Sequence, residues 1–274
     1  MKYGFVVPVY NHGSTLEGVV QKLSAHNFPV IVVDDGNDAE NKAFISAVEK
    51  KYPLVTVVTR AKNGGKGKAM SDGVRKAHEM GLTHILQIDS DGQHDAGRVA
   101  RFLELSEKNP EAVICGYPEY DVEAPKSRVR GRKIANGWVH LVTLSHQIKD
   151  AMIGFRIYPV EPYFKLLNSH AILDSRMGFD IDILVHLSWK GVPIISESVK
   201  VSYPEDGISN FRMFRDNVHI SLTYTRLCLG LLVRFPLILA RKARRKGSLS
   251  VNERSGVQSE GAQTAGSESA GARS

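Results

Sequence analysis

The chain has 274 residues, of which 42% are hydrophobic, enough to bury the core of one large α/β domain. Its two cysteines, Cys115 and Cys228, lie far apart without metal-ligand spacing, which argues against a disulfide framework and a zinc site. The formal net charge of +7 suits an anionic partner, either a nucleic acid, an anionic lipid or a phosphorylated substrate. No secretory signal precedes the first apolar run, which predicts a cytoplasmic protein folded almost from residue 1.

Apolar runs rich in β-branched residues alternate with helical patterns through the first part of the chain. Strands are predicted at 3–10, 30–36, 55–60, 85–89 and 112–117, and helices at 14–26, 38–51, 66–80 and 95–108. Asp95 stands where an N-cap would begin the fourth helix. This alternation predicts an α/β fold with a mostly parallel central sheet and helices on both faces.

The alternation stops after residue 117. Residues 118–133 are polar and basic, 134–146 have a helical pattern, and "DAMIGFRIYP" (150–159) is typical of a short strand or loop. A helix is predicted at 177–191 and a strand at 192–203, before a long amphipathic stretch. We therefore expect a catalytic domain at 1–207, with a nucleotide-binding donor half at 1–117 and an acceptor half at 118–207.

The C-terminal part joins an apolar run to a basic one. "LCLGLLVRFPLILA" is 14 residues long and contains Arg234 and Pro236, and "RKARRK" follows it. Because a helix needs roughly 20 apolar residues to cross a bilayer, residues 208–246 are predicted to form an amphipathic helical extension that lies on a membrane. A core helix with a solvated basic end is the alternative. Residues 247–274 predict a disordered tail.

Polar residues follow each of the first four predicted strands, where an open parallel sheet collects its ligands. They are Pro8, Tyr10 and Asn11 after the first strand, Asp34 and Asp35 after the second, residues 60–68 after the third and residues 89–94 after the fourth. Any one group alone would suit a solvated loop. Their coincidence predicts a ligand site at one edge of the sheet.

Asp89 and Asp91 in "QIDSDGQHD" are two residues apart in a tight loop, so both carboxylates can face one divalent cation. Mg²⁺ and Mn²⁺ prefer oxygen ligands and typically take one or two carboxylates together with substrate phosphate oxygens. Gln93 or His94 is a candidate for a further ligand. The alternative interpretation is an ordinary solvated Asp-Gly turn.

"NGGKGKA" (63–69) is a glycine-rich loop that opens a helix, so its backbone N–H groups and Lys66 or Lys68 can meet a diphosphate. The loop lacks the spacing of the nucleoside triphosphatase P-loop, and no Gly-x-Gly-x-x-Gly follows the first strand. The second absence argues against a dinucleotide cofactor. A flexible basic turn is the alternative.

In chain order, "VVPVYN", "VIVVDDG", "KNGGKGKA" and "QIDSDGQHD" resemble the successive motifs of family 2 inverting glycosyltransferases, over roughly residues 3–210. Within that family the chain is most similar to the polyprenyl-phosphate and dolichyl-phosphate sugar transferases. "SRVRGRKIAN", "DAMIGFRIYP", "GFDIDILVHLSWKGVPIISESV" and "YPEDGISNFR" occur in the order those enzymes have. The chain departs from them at "CGYPEY", where no arginine follows Gly116 by two residues.

The resemblance implies a GT-A type fold and a nucleotide-diphosphate sugar as donor, UDP- or GDP-linked. It implies that Pro8, Tyr10 and Asp35 border the base and ribose and that Lys66 lies near the diphosphate. Asp89 and Asp91 would hold Mg²⁺ or Mn²⁺, with Gln93 as a third ligand. Asn11, Asp34 and Asp89 complete the expected nucleotide-sugar site.

The acceptor decides which further groups are needed. A hydroxyl of a glycolipid or pigment lipid needs a base, for which Asp182 and Asp180 at the start of a helix are the candidates. A lipid phosphate is already anionic and needs cations, which Arg128, Arg130 and Arg132 would supply. We therefore expect a polyprenyl phosphate acceptor, and an enzyme peripheral on the inner face of the cell membrane, with no nucleic-acid partner. A non-catalytic membrane-binding module is the alternative from another class.

Overall fold

The computed structural model describes residues 1–93, 96–119, 126–176, 178–200, 218–241 and 243. In this part of the chain, seven strands form one sheet: β1 (Tyr3–Val9), β2 (Val30–Asp34), β3 (Val55–Thr59), β4 (His84–Gln87), β5 (Val113–Glu119), β6 (Arg156–Pro159) and β7 (Ile194–Lys200). The strand order is β3-β2-β1-β4-β6-β5-β7. Only β6 runs against its neighbours, β4 and β5, so the predicted mostly parallel sheet is confirmed.

The helices of the described part are α1 (Gly13–Ser24), α2 (Ala39–Lys51), α3 (Lys66–Glu79), α4 (Val99–Lys108), α5 (Lys126–Thr143), α6 (Val160–Leu167), α7 (Phe179–Trp189) and α8 (Val218–Arg241). A single turn of 3-10 helix, Ala96–Arg98, precedes α4. α6 is not among the helices predicted from the sequence, and it contains Pro162 in its first turn. A proline in the first turn is compatible with a helix, since the N–H it lacks has no partner there.

The start of α5 also differs from the prediction. A helix was expected from residue 134, but α5 begins at Lys126, within the polar and basic stretch. This first part of α5 has no apolar period that would mark it as helical, yet lysine and arginine are good helix formers. The basic residues at 126–133 are thus helical rather than part of a loop.

One face of the sheet is covered by α1, α2 and α4. Phe5, Val7 and Val9 alternate along β1 toward this face, where they share a buried cluster with Leu16 of α1 and Phe102 of α4. Each fully buried side chain of this kind stabilises the fold by roughly 1.5–3 kcal/mol. The ends of the strands at the edge of the sheet are therefore supported by a tightly packed core.

The opposite face is covered by α3. A Cβ on Gly73 would overlap the side chain of Val6 in β1 and come within 3.2 Å of Val33 in β2. A glycine at this position lets the helix approach the sheet closely. The predicted covering of both faces is thus confirmed, and the first residue of α3, Lys66, is fixed relative to the strand ends.

By backbone contacts the chain divides into two units, Met1–Cys228 and Leu229–Ser274, and the boundary falls inside α8. With 24 residues and a mean hydropathy of 1.5 over its most apolar part, α8 is long and apolar enough to cross a membrane, by length and composition only. The helix extends beyond the 14-residue run noted in the sequence. Predictions for His94, Asp95, "YPEDGISNFR" and the tail at 247–274 fall outside the described residues.

Candidate active site

Four strand ends meet at one edge of the sheet, because β1, β2, β3 and β4 are parallel neighbours. The loops that follow them carry the polar groups singled out in the sequence. β6 runs in the opposite direction, so it begins at this same edge. The residue two positions before β6, Gly154, therefore joins the site, although no sequence pattern singles it out.

Lys66 lies between two carboxylates at this edge. Its Nζ is 2.7 Å from Oδ1 of Asp89 and 2.8 Å from Oδ2 of Asp180. Burial by itself lowers the pKa of Lys66, but the two carboxylates outweigh burial and the pKa lies above its ordinary value. The ammonium group is thus a fixed positive charge at the N-terminus of α3, where backbone N–H groups also favour an anion.

Asp180 is held by several donors besides Lys66. Its Oδ1 accepts a hydrogen bond from Nε2 of Gln87 at 3.0 Å, and its backbone carbonyl accepts one from Nη1 of Arg156 at 2.7 Å. The side chain of Arg156 is fully buried behind the site. Asp180 is consequently a carboxylate in a fixed position whose charge is balanced by cations, and it orients Lys66.

Asp182 lies two residues further along α7, so it projects to a different side of that helix. Its side chain is completely buried, its Oδ2 accepts the backbone N–H of Asp174 at 2.5 Å, and it forms an ion pair with Arg226 of α8. Its Oδ1 has no hydrogen-bond partner among the described residues. Burial raises the pKa of Asp182 to about 7, an effect that Arg226 opposes.

Asp35 holds the glycine-rich loop in shape. Its carboxylate accepts the backbone N–H groups of Gly64 and Gly65 at 2.9 and 2.8 Å, and Nε of Arg60 lies 2.9 Å away. Asp35 has 2% of its surface exposed, so these groups cover most of its carboxylate. The predicted contact of Asp35 with base or ribose stays a prediction.

The loops after β1 and β2 are joined by Asn37. Its backbone N–H and its Nδ2 donate to Oδ1 of Asp34 at 2.9 and 2.7 Å, and its Oδ1 accepts the N–H of Asn11 at 2.8 Å. Asn11 has a φ of 59°, in the left-handed region that asparagine tolerates. Tyr10, beside it, is 38% exposed and Pro8 is half-buried at the end of β1, so both are accessible for the predicted contact with a base.

A second loop packs against the glycine-rich one. The carbonyl oxygen of Ser175 accepts the N–H of Gly67 at 3.0 Å, and a Cβ on Gly65, whose φ is 90°, would overlap that same carbonyl. The hydroxyl of Thr223 in α8 donates to Oδ2 of Asp174 at 2.9 Å. The sequence did not point to these contacts, since they join residues that are far apart along the chain.

Asp89 and Asp91 flank the turn after β4. Oδ1 of Asp91 accepts the backbone N–H of Gln93 at 3.0 Å, and a Cβ on Gly154 would overlap the carboxylate of Asp89. The described residues include no group of three or more His, Cys, Asp or Glu that could enclose a metal. Two carboxylates that leave the remaining ligands to a diphosphate and water fit Mg²⁺ or Mn²⁺.

Of the three arginines predicted to contact an acceptor phosphate, two have described side chains. Arg130 is exposed on α5, whereas Nη1 of Arg132 donates to Oδ2 of Asp150 at 2.9 Å. Oδ1 of Asp150 in turn accepts the N–H groups of Met152 and Ile153, each at 2.9 Å. Arg132 thus orders the loop that leads to Gly154. The side chain of Arg128 lies outside the described residues.

The sequence model of glycosyl transferase family 2 matches residues 5–172, and the chain belongs to this family. The protein is therefore an enzyme, a glycosyltransferase, and the hypothesis of a non-catalytic module is set aside. Its fold is similar to that of glucosyl-3-phosphoglycerate synthase from Mycobacterium tuberculosis in complex with Mn²⁺, UDP-glucose and phosphoglyceric acid. That likeness has a TM-score of 0.62 at 14% identity and covers 85% of this chain and 79% of the other, which confirms the GT-A fold.

Among curated proteins, the chain is 28% identical over 232 residues to a dolichyl-phosphate beta-glucosyltransferase of Trichomonas vaginalis. That match covers 76% of this chain and 66% of the relative. It is 23% identical over 222 residues to an undecaprenyl-phosphate mannosyltransferase of Micrococcus luteus, covering 76% of this chain and 86% of the relative. These relatives confirm the resemblance to the prenyl-phosphate sugar transferases.

Proposed function

We propose that this glycosyltransferase depends on a divalent metal and moves a hexose, with inversion, from UDP- or GDP-hexose to a polyprenyl phosphate at the inner face of the cell membrane. The observation that carries the proposal is the bridge from Lys66 to Asp89 and Asp180 at the N-terminus of α3. The bridge places a cation, a helix N-terminus and carboxylates at one edge of the sheet. A nucleotide diphosphate requires the cation and the helix N-terminus, and its metal requires carboxylates.

The glycine-rich loop and Lys66 receive the diphosphate of the donor in this proposal. The positive end of the α3 dipole and the neighbouring ammonium group both favour phosphate oxygens. Asp89 and Asp91, with Gln93 beside them, would hold Mg²⁺ or Mn²⁺, which would neutralise the charge of the leaving diphosphate. Tyr10 and Pro8, both accessible, border the base.

The surroundings of Asp180 and Asp182 favour an acceptor that arrives already ionised. Asp182 is completely buried and ion-paired with Arg226, and Asp180 is ion-paired with Lys66. A phosphate oxygen is anionic at pH 7 and needs no base. It attacks the anomeric carbon, the bond from that carbon to the diphosphate oxygen breaks, and the nucleoside diphosphate leaves with the bonding electrons.

A hydroxyl acceptor on a glycolipid or pigment lipid is the second candidate, and one observation favours it. The pKa of Asp182, raised to about 7 by burial, is suitable for a general base near neutral pH. This role requires Arg226 to release the carboxylate. The two candidates differ in the expected effect of Asp182→Asn, which abolishes transfer only if Asp182 takes a proton from the acceptor.

The experiment is product analysis by mass spectrometry with Mn²⁺, a panel of UDP- and GDP-sugars, and polyprenyl phosphate in detergent. The expected product is a polyprenyl-phosphate hexose, absent with Asp89→Ala and retained with Glu40→Ala, an exposed carboxylate of α2. Donor binding that does not depend on metal, together with wild-type behaviour of Asp89→Ala, would contradict the proposal. A glycosylated hydroxyl product would favour the second candidate.

A further inference from the structure

α5 exposes apolar residues on the side that does not face the domain. Ile134, Trp138 and Leu141 are 59%, 44% and 51% exposed, and their spacing of four and seven residues places them on one face of the helix. The other face buries Val139 and Val142. A helix on the surface of a soluble domain usually turns polar residues outward, so this outer stripe indicates a binding surface.

The charges of α5 indicate what kind of partner this is. The helix sequence KSRVRGRKIANGWVHLVT contains no acidic residue. Arg130 is exposed one turn before Ile134 on the same face, and Lys133 is exposed at the border of the stripe. A stripe of isoleucine, tryptophan and leucine with cations at its border matches an anionic lipid surface, where tryptophan prefers the interface and cations meet headgroups.

The helix beside α5, which is α8, indicates the same kind of partner. The ring centroid of Trp138 is 6.3 Å from that of Tyr224 in α8, and the Tyr224 hydroxyl donates to the carbonyl of Ala135 at 3.0 Å. In this first part of α8, Val218 and Leu222 are 44% and 62% exposed. The stripe of α5 therefore lies beside the start of a helix with a second exposed apolar face.

We propose that the exposed stripe of α5, formed by Ile134, Trp138 and Leu141, docks into the interface of an anionic membrane, with Arg130 and Lys133 at the headgroups. This contact is additional to α8, and it deepens the proposed function, on which it rests. Arg132 of the same helix binds Asp150, and the loop after Asp150 reaches the Gly154 that contacts Asp89. Arg132 thus links the docked helix to the loop that supports Asp89.

Tryptophan fluorescence tests the contact directly, because the chain has two tryptophans and Trp189 is buried. Full-length protein is mixed with vesicles of phosphatidylcholine and phosphatidylglycerol whose acyl chains carry bromine, a quencher of tryptophan. We expect the emission of the wild type to fall by at least about a third relative to unbrominated vesicles, since Trp138 is one of the two emitters. Trp138→Phe should lose this quenching while still binding the vesicles.

A matched control moves the probe to another exposed aromatic position. Phe44 of α2 is 42% exposed, close to the 44% of Trp138. The double variant Phe44→Trp with Trp138→Phe should show no quenching by brominated lipid. Quenching of this control equal to that of the wild type, or a wild type that sediments with vesicles without quenching, would overturn the proposal.

Affinity gives a second measurement. Ile134→Glu combined with Trp138→Glu should weaken co-sedimentation with anionic vesicles by about tenfold, and Phe44→Glu should leave it unchanged. If the wild type is instead a dimer in sedimentation equilibrium that the double glutamate variant dissociates, the stripe binds a second copy and the proposal fails.

Metal-dependent donor binding is measured on the same preparations without vesicles. Donor binding that persists in the double glutamate variant separates a failure of membrane docking from a failure of the proposed transferase activity. The vesicles contain no polyprenyl phosphate, so quenching cannot arise from recognition of the acceptor.

Discussion

Arg226 of α8 forms an ion pair with Asp182, the completely buried carboxylate at the start of α7. The same carboxylate accepts the N–H of Asp174, and the loop that follows Asp174 supports the glycine-rich loop through Ser175 and Gly67. The first part of α8 is thereby connected to the N-terminus of α3 through a short series of contacts. Removal of the ion pair should disturb both stability and donor binding.

We predict that Arg226→Met destabilises the fold and weakens donor binding several-fold, because it leaves a buried carboxylate without its cation. Breaking such a pair typically costs roughly 3–5 kcal/mol. The loss should be smaller at pH 5.5 than at pH 8, since Asp182 can take up a proton. Urea unfolding and donor titration at both pH values measure this, with Arg101→Met, an exposed arginine of α4, as the control. Rescue of Arg226→Met by Asp182→Asn identifies the unpaired charge as the cause.

The pH dependence of stability should also change in Asp182→Asn alone. Burial raises the pKa of Asp182 from its ordinary value of 3.8 to about 7, so the folded state binds a proton more tightly than the unfolded state. The stability from this group is present below about pH 4 and is lost as the pH rises toward 7, by roughly 2–4 kcal/mol in total. Urea midpoints measured between pH 4.5 and 8 should fall less steeply in Asp182→Asn. Equal slopes in the two proteins would contradict the prediction.

The sequence leaves both Lys66 and Lys68 as candidates for binding the diphosphate. In the structure their environments differ. Lys66 lies between Asp89 and Asp180, whereas Lys68 is exposed two residues further along α3. We predict that Lys66→Met lowers kcat by roughly 10²–10³-fold, as removal of a preorganised charge at a reaction centre does. Lys68→Met should stay within about threefold of the wild type by the same reasoning. Transfer rates at saturating donor measure both, and equal losses would argue against a special role for Lys66.

The sheet edge could be predicted because each of its parts is a local pattern. β-branched runs identify strands, their alternation with helices makes neighbouring strands parallel, and parallel strands end at a common edge. The sequence alone therefore places Asp34, Asp35, Lys66 and Asp89 at one edge of the sheet. What each of them binds depends on geometry, as the hydrogen bonds from Gly64 and Gly65 to Asp35 illustrate.

The partners of Asp180 and Asp182 could not be predicted in the same way. Lys66 and Arg226 are far from both aspartates along the chain, and a single sequence contains no signal that pairs them. Both aspartates were candidate bases because they open a helix in the acceptor half. In the structure Asp180 forms an ion pair with Lys66, and Asp182 is buried beside Arg226. These contacts depend on tertiary packing, which a local sequence pattern does not encode.

Gly154 allows the close approach of Asp89 and Lys66. A Cβ at this position would overlap the Asp89 carboxylate and the Lys66 ammonium group. We predict that Gly154→Ala lowers transfer at least about tenfold and weakens Mn²⁺-dependent donor binding, because a displacement of about 1 Å at a reaction centre is sufficient for such a loss. The fold should survive, since only side chains must move.

Gly137 of α5 provides the matched control for Gly154→Ala. A Cβ there would meet nothing within 4 Å among the described residues, and the position is helical and exposed. Gly137→Ala should leave transfer unchanged and raise stability by roughly 0.5–1 kcal/mol, because alanine loses less backbone entropy in a helix. Calorimetry tests the fold of both variants, and donor titration with Mn²⁺ tests the site. Wild-type donor binding in Gly154→Ala would mean that Asp89 and Lys66 can separate without consequence, and the bridge between them would then have no part in binding the donor.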